Sequence, residues 1–132
     1  MSKYLAFTKV VFNDRALLIT ALESIGCAEI RQGENLEMGS YWKEQRGEKA
    51  DIIIPRYSIG NSFGDIGFQR AEGGGYAPVI DELDEARALG GNFIPLLRAA
   101  YNERAVAEIA TRVRGTLHRT QQGGVVKIKV RY

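Results

Sequence analysis

The sequence predicts an α+β fold: a single antiparallel or mixed β-sheet with two main helices packed on one face. Three observations lead there. Two stretches carry apolar residues at helical spacing, one around Leu18, Leu22 and Ile25, the other around Ile94, Leu97 and Tyr101. Short β-branched runs lie between and after them, and glycine-rich turns separate those runs. The 132 residues suit one domain, 1–132, and can bury a core without metal or disulfide staples.

Tyr4–Phe12 opens the chain as a strand apolar on much of both faces, which places it centrally in the sheet. Asn13 is suited to cap the following helix and Asp14 to its first turn; Gly26 can end it in the left-handed conformation. The stretches Cys27–Gly33 and Asn35–Trp42 read as two short strands about a Gly33-Glu34-Asn35 turn. Charged residues 43–49 read as an exposed loop. Ala50–Tyr57 is a stronger strand whose ladder Pro55 should end.

Asp65–Asp81 holds two partly alternating runs about Glu72-Gly73-Gly74-Gly75. A phosphate-binding loop would need its glycines between a strand and a helix N-terminus. Here they lie between two strands, so a β-hairpin is expected. Asp81–Gly91 reads as a connection with one helical turn. Asn92 can cap a second helix, Pro95 is tolerable in its first turn, and Gly115 should end it. Within it Ile94, Leu97 and Tyr101 share a face, Val106, Ile109 and Val113 continue an apolar stripe, and Glu108 and Arg112 can pair. Leu117–Thr120 and Val125–Arg131 read as two final strands about a Gln-Gln-Gly-Gly turn.

Composition narrows the function classes. The net charge is +2 and the pI about 8.8, which permits contact with nucleic acid without implying it. One cysteine, Cys27, rules out an internal disulfide framework, and one histidine, His118, argues against a histidine-based metal site. No cofactor motif stands in the chain. The apolar runs are too short to span a bilayer, and the N-terminal stretch lacks a secretory pattern, so a cytoplasmic protein without membrane contact is expected.

Cys27 follows a helix end instead of preceding a helix, so no dipole lowers its thiol pKa, and an idle thiol is expected. Asp65 and Asp81 bracket the hairpin; paired carboxylates can do acid–base work or hold a metal, yet Asp is also a common turn residue, which is the reading taken here. Tyr41, Trp42, Tyr57 and Phe63 read as core aromatics, with a partner anchor as the alternative. Arg112, Arg114, His118, Arg119, Lys127, Lys129 and Arg131 gather near the end of the chain.

The opening "MSKYLAFTKVVFNDRALLITALESIG", the segment "DIGFQRAEGGGYAPVID", and the closing "LLRAAYNERAVAEIATRVRG" with "GGVVKIKVRY" together resemble a small family of unknown function. That family includes hypothetical chloroplast reading frame thirty-five, of algal plastids and cyanobacteria. The resemblance spans most of the chain and departs at Trp42–Lys49 and in the acidic stretch Asp81–Glu85. It implies a small accessory protein, in the stroma if of plastid origin, with an adaptor role toward an AAA-type ATPase. It carries over no catalytic residue.

The leading expectation is therefore a non-enzymatic adaptor that binds another protein through the hairpin, with Asp65, Phe68, Tyr76 and Asp81 as its contact residues. A homo-oligomer through a sheet edge is compatible. The alternatives are a nucleic-acid-binding module using Arg119, Lys127, Lys129 and Arg131, and a small-molecule or metal-dependent enzyme using Asp65, Asp81 and His118.

Overall fold

The computed structural model describes residues 3–39, 47–59, 62–87 and 91–120. Five strands form one antiparallel sheet: β1 (Tyr4–Ala6), β2 (Arg31–Glu37), β3 (Lys49–Ile54), β4 (Ile66–Arg70) and β5 (Tyr76–Asp81). Their order across the sheet is β1-β5-β4-β3-β2. Three helices accompany them: α1 (Arg15–Ser24), α2 (Glu82–Arg87) and α3 (Phe93–Thr120). The architecture is α+β, as the sequence predicts.

One face of the sheet carries the main core. Ile52, Ile54, Ile66, Phe68 and Ile80 meet Leu18 and Leu22 of α1 and Phe93 and Leu97 of α3. Phe12 stands between them, edge-on to Phe68 and to Tyr101 with ring centroids 6.2 and 5.1 Å apart. The opposite face has a smaller cluster of Met38, Ala50, Ile53 and Val79. Gly67 allows it to form: a Cβ there would lie 2.6 Å from the Met38 sulfur.

Several expectations need correction. The first strand is not central. It spans only Tyr4–Ala6 and lies at the sheet edge, because the chain leaves β5 after Phe7 and rejoins it at a lone Phe12–Tyr76 bridge. Beyond Ala6, Phe7, Val10 and Phe12 pack on the core from a loop while Val11 stays exposed, which explains a run apolar on both sides. Asp14, not Asn13, caps α1, accepting a hydrogen bond from the Leu17 amide at 3.1 Å. At the other end Cys27 and Gly26 donate to the carbonyls of Leu22 and Glu23, and Gly26 has φ +101°. This double closure requires the left-handed conformation at Gly26.

The two short strands expected after α1 are one, β2. The predicted turn at Gly33–Asn35 is instead an irregularity within it, where the pairing steps from Gln32–Ile52 to Leu36–Ala50. Asn35 has φ +48°, and the buried Asp51 carboxylate accepts its amide at 3.1 Å. β3 stops at Ile54, one residue before Pro55, as expected. Tyr57 is 63 % exposed and is not a core aromatic. Tyr41 and Trp42 lie outside the described residues.

α3 does not end at Gly115 but runs 28 residues to Thr120, so Leu117–Thr120 is helical and not a strand. At 1.5 Å per residue it is about 42 Å long, against about 15 Å for α1. The strand expected over Val125–Arg131 lies outside the described residues. No helix among those described is long and apolar enough to cross a membrane.

Candidate interaction site at the hairpin

β4 and β5 pair from Gly67–Val79 to Arg70–Tyr76 and are joined by Ala71–Gly75. The Ala71 amide donates to the Gly75 carbonyl at 2.9 Å, and the Gly74 amide returns to the Ala71 carbonyl at 3.0 Å. Gly74 and Gly75 have φ of +92° and +78°, the geometry for which glycine is suited. Gly75 is needed twice, since a Cβ there would lie 2.7 Å from a Val11 methyl and 3.0 Å from the Phe12 carbonyl oxygen. The glycine knot is a hairpin turn packed against the Phe12 segment.

The four hairpin residues named from sequence face inward. Phe68 and Asp81 are fully buried, and Asp65 and Tyr76 nearly so. Tyr76 is held by Arg15, whose guanidinium lies 5.5 Å from the ring centre and donates to the phenol oxygen at 3.2 Å. The Asp65 carboxylate accepts the amides of Gly39 and Arg56 at 2.7 and 2.8 Å. It ties two loops to the start of β4. Asp81 accepts the Leu83 amide at 2.9 Å, which starts α2.

Sequence reasoning missed the neighbouring Asp84. It is 1 % exposed and accepts the amides of Phe63 and Gly64 at 2.7 and 2.8 Å. Tyr4 closes the same end by donating its hydroxyl to the Gly39 carbonyl. The acidic run Asp81–Glu85 contains both Asp81 and Asp84, but nothing in its pattern separates these two buried acids from Glu82 and Glu85. Among the described residues no three acidic, histidine or cysteine side chains are placed to hold a metal.

The other end of the hairpin is open. Arg70 and Glu72–Gly74 are exposed, and a groove lies on each side of Gln69 and Arg70. One, of about 530 Å³, runs between the irregular part of β2 and the ends of β3 and β4. Glu48, Lys49 and Asp51 line it, so both signs of charge are present. The other, of about 490 Å³, has Ala77 and Val79 for a floor and Thr8 and Val11 for a wall. Val11 is a large apolar side chain left 38 % exposed there. A mixed apolar and polar cleft on rigid strands can seat a peptide or a loop.

The other candidates are separate from this site. Cys27 is buried behind α1, and burial pushes its thiol up to about 11, so it is protonated at neutral pH. The Tyr57 phenol is also raised, through its 2.7 Å hydrogen bond to Glu29. Arg112 pairs with Glu108 at 2.6 Å. His118 and Arg119 fall within the helical run of α3; Lys127, Lys129 and Arg131 lie outside the described residues. No family model, curated protein or solved structure matches the chain.

Proposed function

We propose that this chain is a non-enzymatic accessory or adaptor protein that binds another protein at the open end of the β4–β5 hairpin. One observation supports the reading above others: two grooves of several hundred cubic ångströms meet at Gln69 and Arg70 on a hairpin anchored at its other end by buried carboxylates. That arrangement presents a backbone already ordered, which lowers the cost of binding to that of fixing the contact side chains. The contact residues move from the buried Asp65, Phe68, Tyr76 and Asp81 to Gln69, Arg70, Glu72 and Val11. The family resemblance extends the reading to an AAA-type ATPase as the partner class, in a cytoplasmic or stromal setting.

The test is capture of partners by the tagged chain from host lysate, with and without nuclease, beside the Arg70→Glu variant. A stoichiometric protein that survives nuclease and is lost with Arg70→Glu supports the reading. Retention of that protein by the variant moves the surface elsewhere. Recovery of nucleic acid, with protein partners lost on digestion, replaces it with the basic C-terminal alternative.

A further inference from the structure

Two carboxylates short of partners share the groove between β2 and the ends of β3 and β4. The strand pairing steps from Gln32–Ile52 to Leu36–Ala50, so Gly33, Glu34 and Asn35 stand opposite Asp51 alone. An irregularity of this kind bends the strand and re-aims side chains beside it. Asp51 lines the groove and is only 7 % exposed. Its Oδ1 accepts the Asn35 amide, and its Oδ2 has no hydrogen-bond partner among the described residues. Glu48 lines the same groove and is half-buried. Its Oε2 is shut away from water and has no hydrogen-bond partner either. A carboxylate with neither donors nor full hydration is costly, and buried acids are as a rule paired. The groove's own cations do not supply that pairing. Lys49 and Arg70 line it, both are exposed, and among the described residues neither forms an ion pair with Glu48 or Asp51.

We propose that this groove receives the cationic side chain of an arginine or lysine from the protein partner, carried on a segment with acidic neighbours. The inference rests on the reading that the open end of the hairpin binds a protein, and it names the chemistry of what is bound. The charge arrangement selects it. The acids are withdrawn from water, and the bases stand at the rim. A guanidinium or ammonium entering the groove donates to Glu48 and to the Asp51 Oδ2, and charge-assisted hydrogen bonds of this kind are the strong ones. The acidic neighbours meet Lys49 and Arg70 outside. A divalent metal ion takes more oxygen ligands, and among the described residues no three acidic, histidine or cysteine side chains are grouped to hold one.

An NMR titration of the full, nitrogen-15-labelled chain tests this. The probes are acetyl-Glu-Arg-Glu-amide and its citrulline counterpart, which keeps the shape and loses the charge. The arginine peptide should give saturable shifts at the amides of Asn35, Glu48, Asp51 and Gln69, and should bind at least about tenfold more tightly than the citrulline peptide. Glu48→Gln removes no hydrogen bond seen among the described residues, and should bring the arginine peptide close to the citrulline one. Equal binding of the two peptides, shifts that do not saturate, or binding unchanged in Glu48→Gln would overturn the proposal. Calcium chloride that saturates the same amides and displaces the peptide would also overturn it, in favour of a metal site. A captured protein lost with Arg70→Glu but kept by Glu48→Gln would overturn the cation assignment alone. Arginine-specific binding with no captured protein would uphold the groove's chemistry and overturn the adaptor reading.

Discussion

At one end of the β4–β5 hairpin the acidic side chains turn inward; at the other the loop stands open. Asp65, Asp81 and Asp84 are buried at the first end, and the amides they are shown to accept from are backbone groups of nearby connections and of the first turn of α2. Arg70 and Glu72 at the second are exposed beside two grooves. The difference teaches that a carboxylate in a polar, glycine-rich segment need not be chemistry on offer. A buried carboxylate with two amide donors acts as a clamp, holding loops that have no regular ladder to satisfy them. The recognition surface proposed above is what the clamped hairpin leaves outside.

This contrast can be broken most forcefully at Asp84. Replacing it by alanine leaves the Phe63 and Gly64 amides without this acceptor, and each such loss costs about 1–3 kcal/mol. Urea unfolding of Asp84→Ala should therefore show a loss of about 3 kcal/mol or more, or no folded protein. A near-neutral result would mean that the closed end is not a clamp. Asp65→Asn keeps the shape and one acceptor, and should cost about 2 kcal/mol by the same measurement.

The turn comes next in size. Gly75→Ala imposes both a strained φ and a contact with the Phe12 carbonyl, and should cost about 2 kcal/mol. Gly73→Ala, where an added Cβ meets nothing, should stay within about 0.5 kcal/mol. Equal effects would remove the packing role assigned to Gly75.

Cys27 gives a pH test away from the hairpin. With its thiol raised from 9.0 to about 11, the native state holds a proton that the unfolded chain releases, so stability should be full below pH 9 and fall as pH rises toward 11. The same shift lowers the native thiolate population at pH 8 by about 100-fold, so alkylation should be slowed by at least that factor against unfolded protein. Alkylation at the unfolded rate would contradict the burial of this thiol.

The fold was legible where local physics dominates. Helical spacing located α1 and the start of α3, and the glycine knot located the hairpin, because turn chemistry and periodicity act over a few residues. It failed where a tertiary contact changes the meaning of a local pattern. The Asn35 irregularity reads as a turn because only the distant Asp51 holds it inside a strand. Tyr4–Phe12 reads as a central strand because loop residues that pack on the core look like strand residues buried on both faces. The candidate site was legible only in part: sequence located the hairpin but not which of its ends faces out. Buried and exposed aspartates have the same letter, and the amides that hold Asp65 and Asp84 lie 9 to 26 residues away.

The most direct measurement compares the two ends in one assay. Arg70→Glu and Asp65→Asn would each be measured for unfolding free energy and for capture of the nuclease-resistant partner. The account predicts that Arg70→Glu abolishes capture with stability unchanged within about 0.5 kcal/mol, while Asp65→Asn loses stability yet still captures the partner where it remains folded. Capture retained by Arg70→Glu and lost by folded Asp65→Asn would contradict it, and would return the binding role to the buried acids.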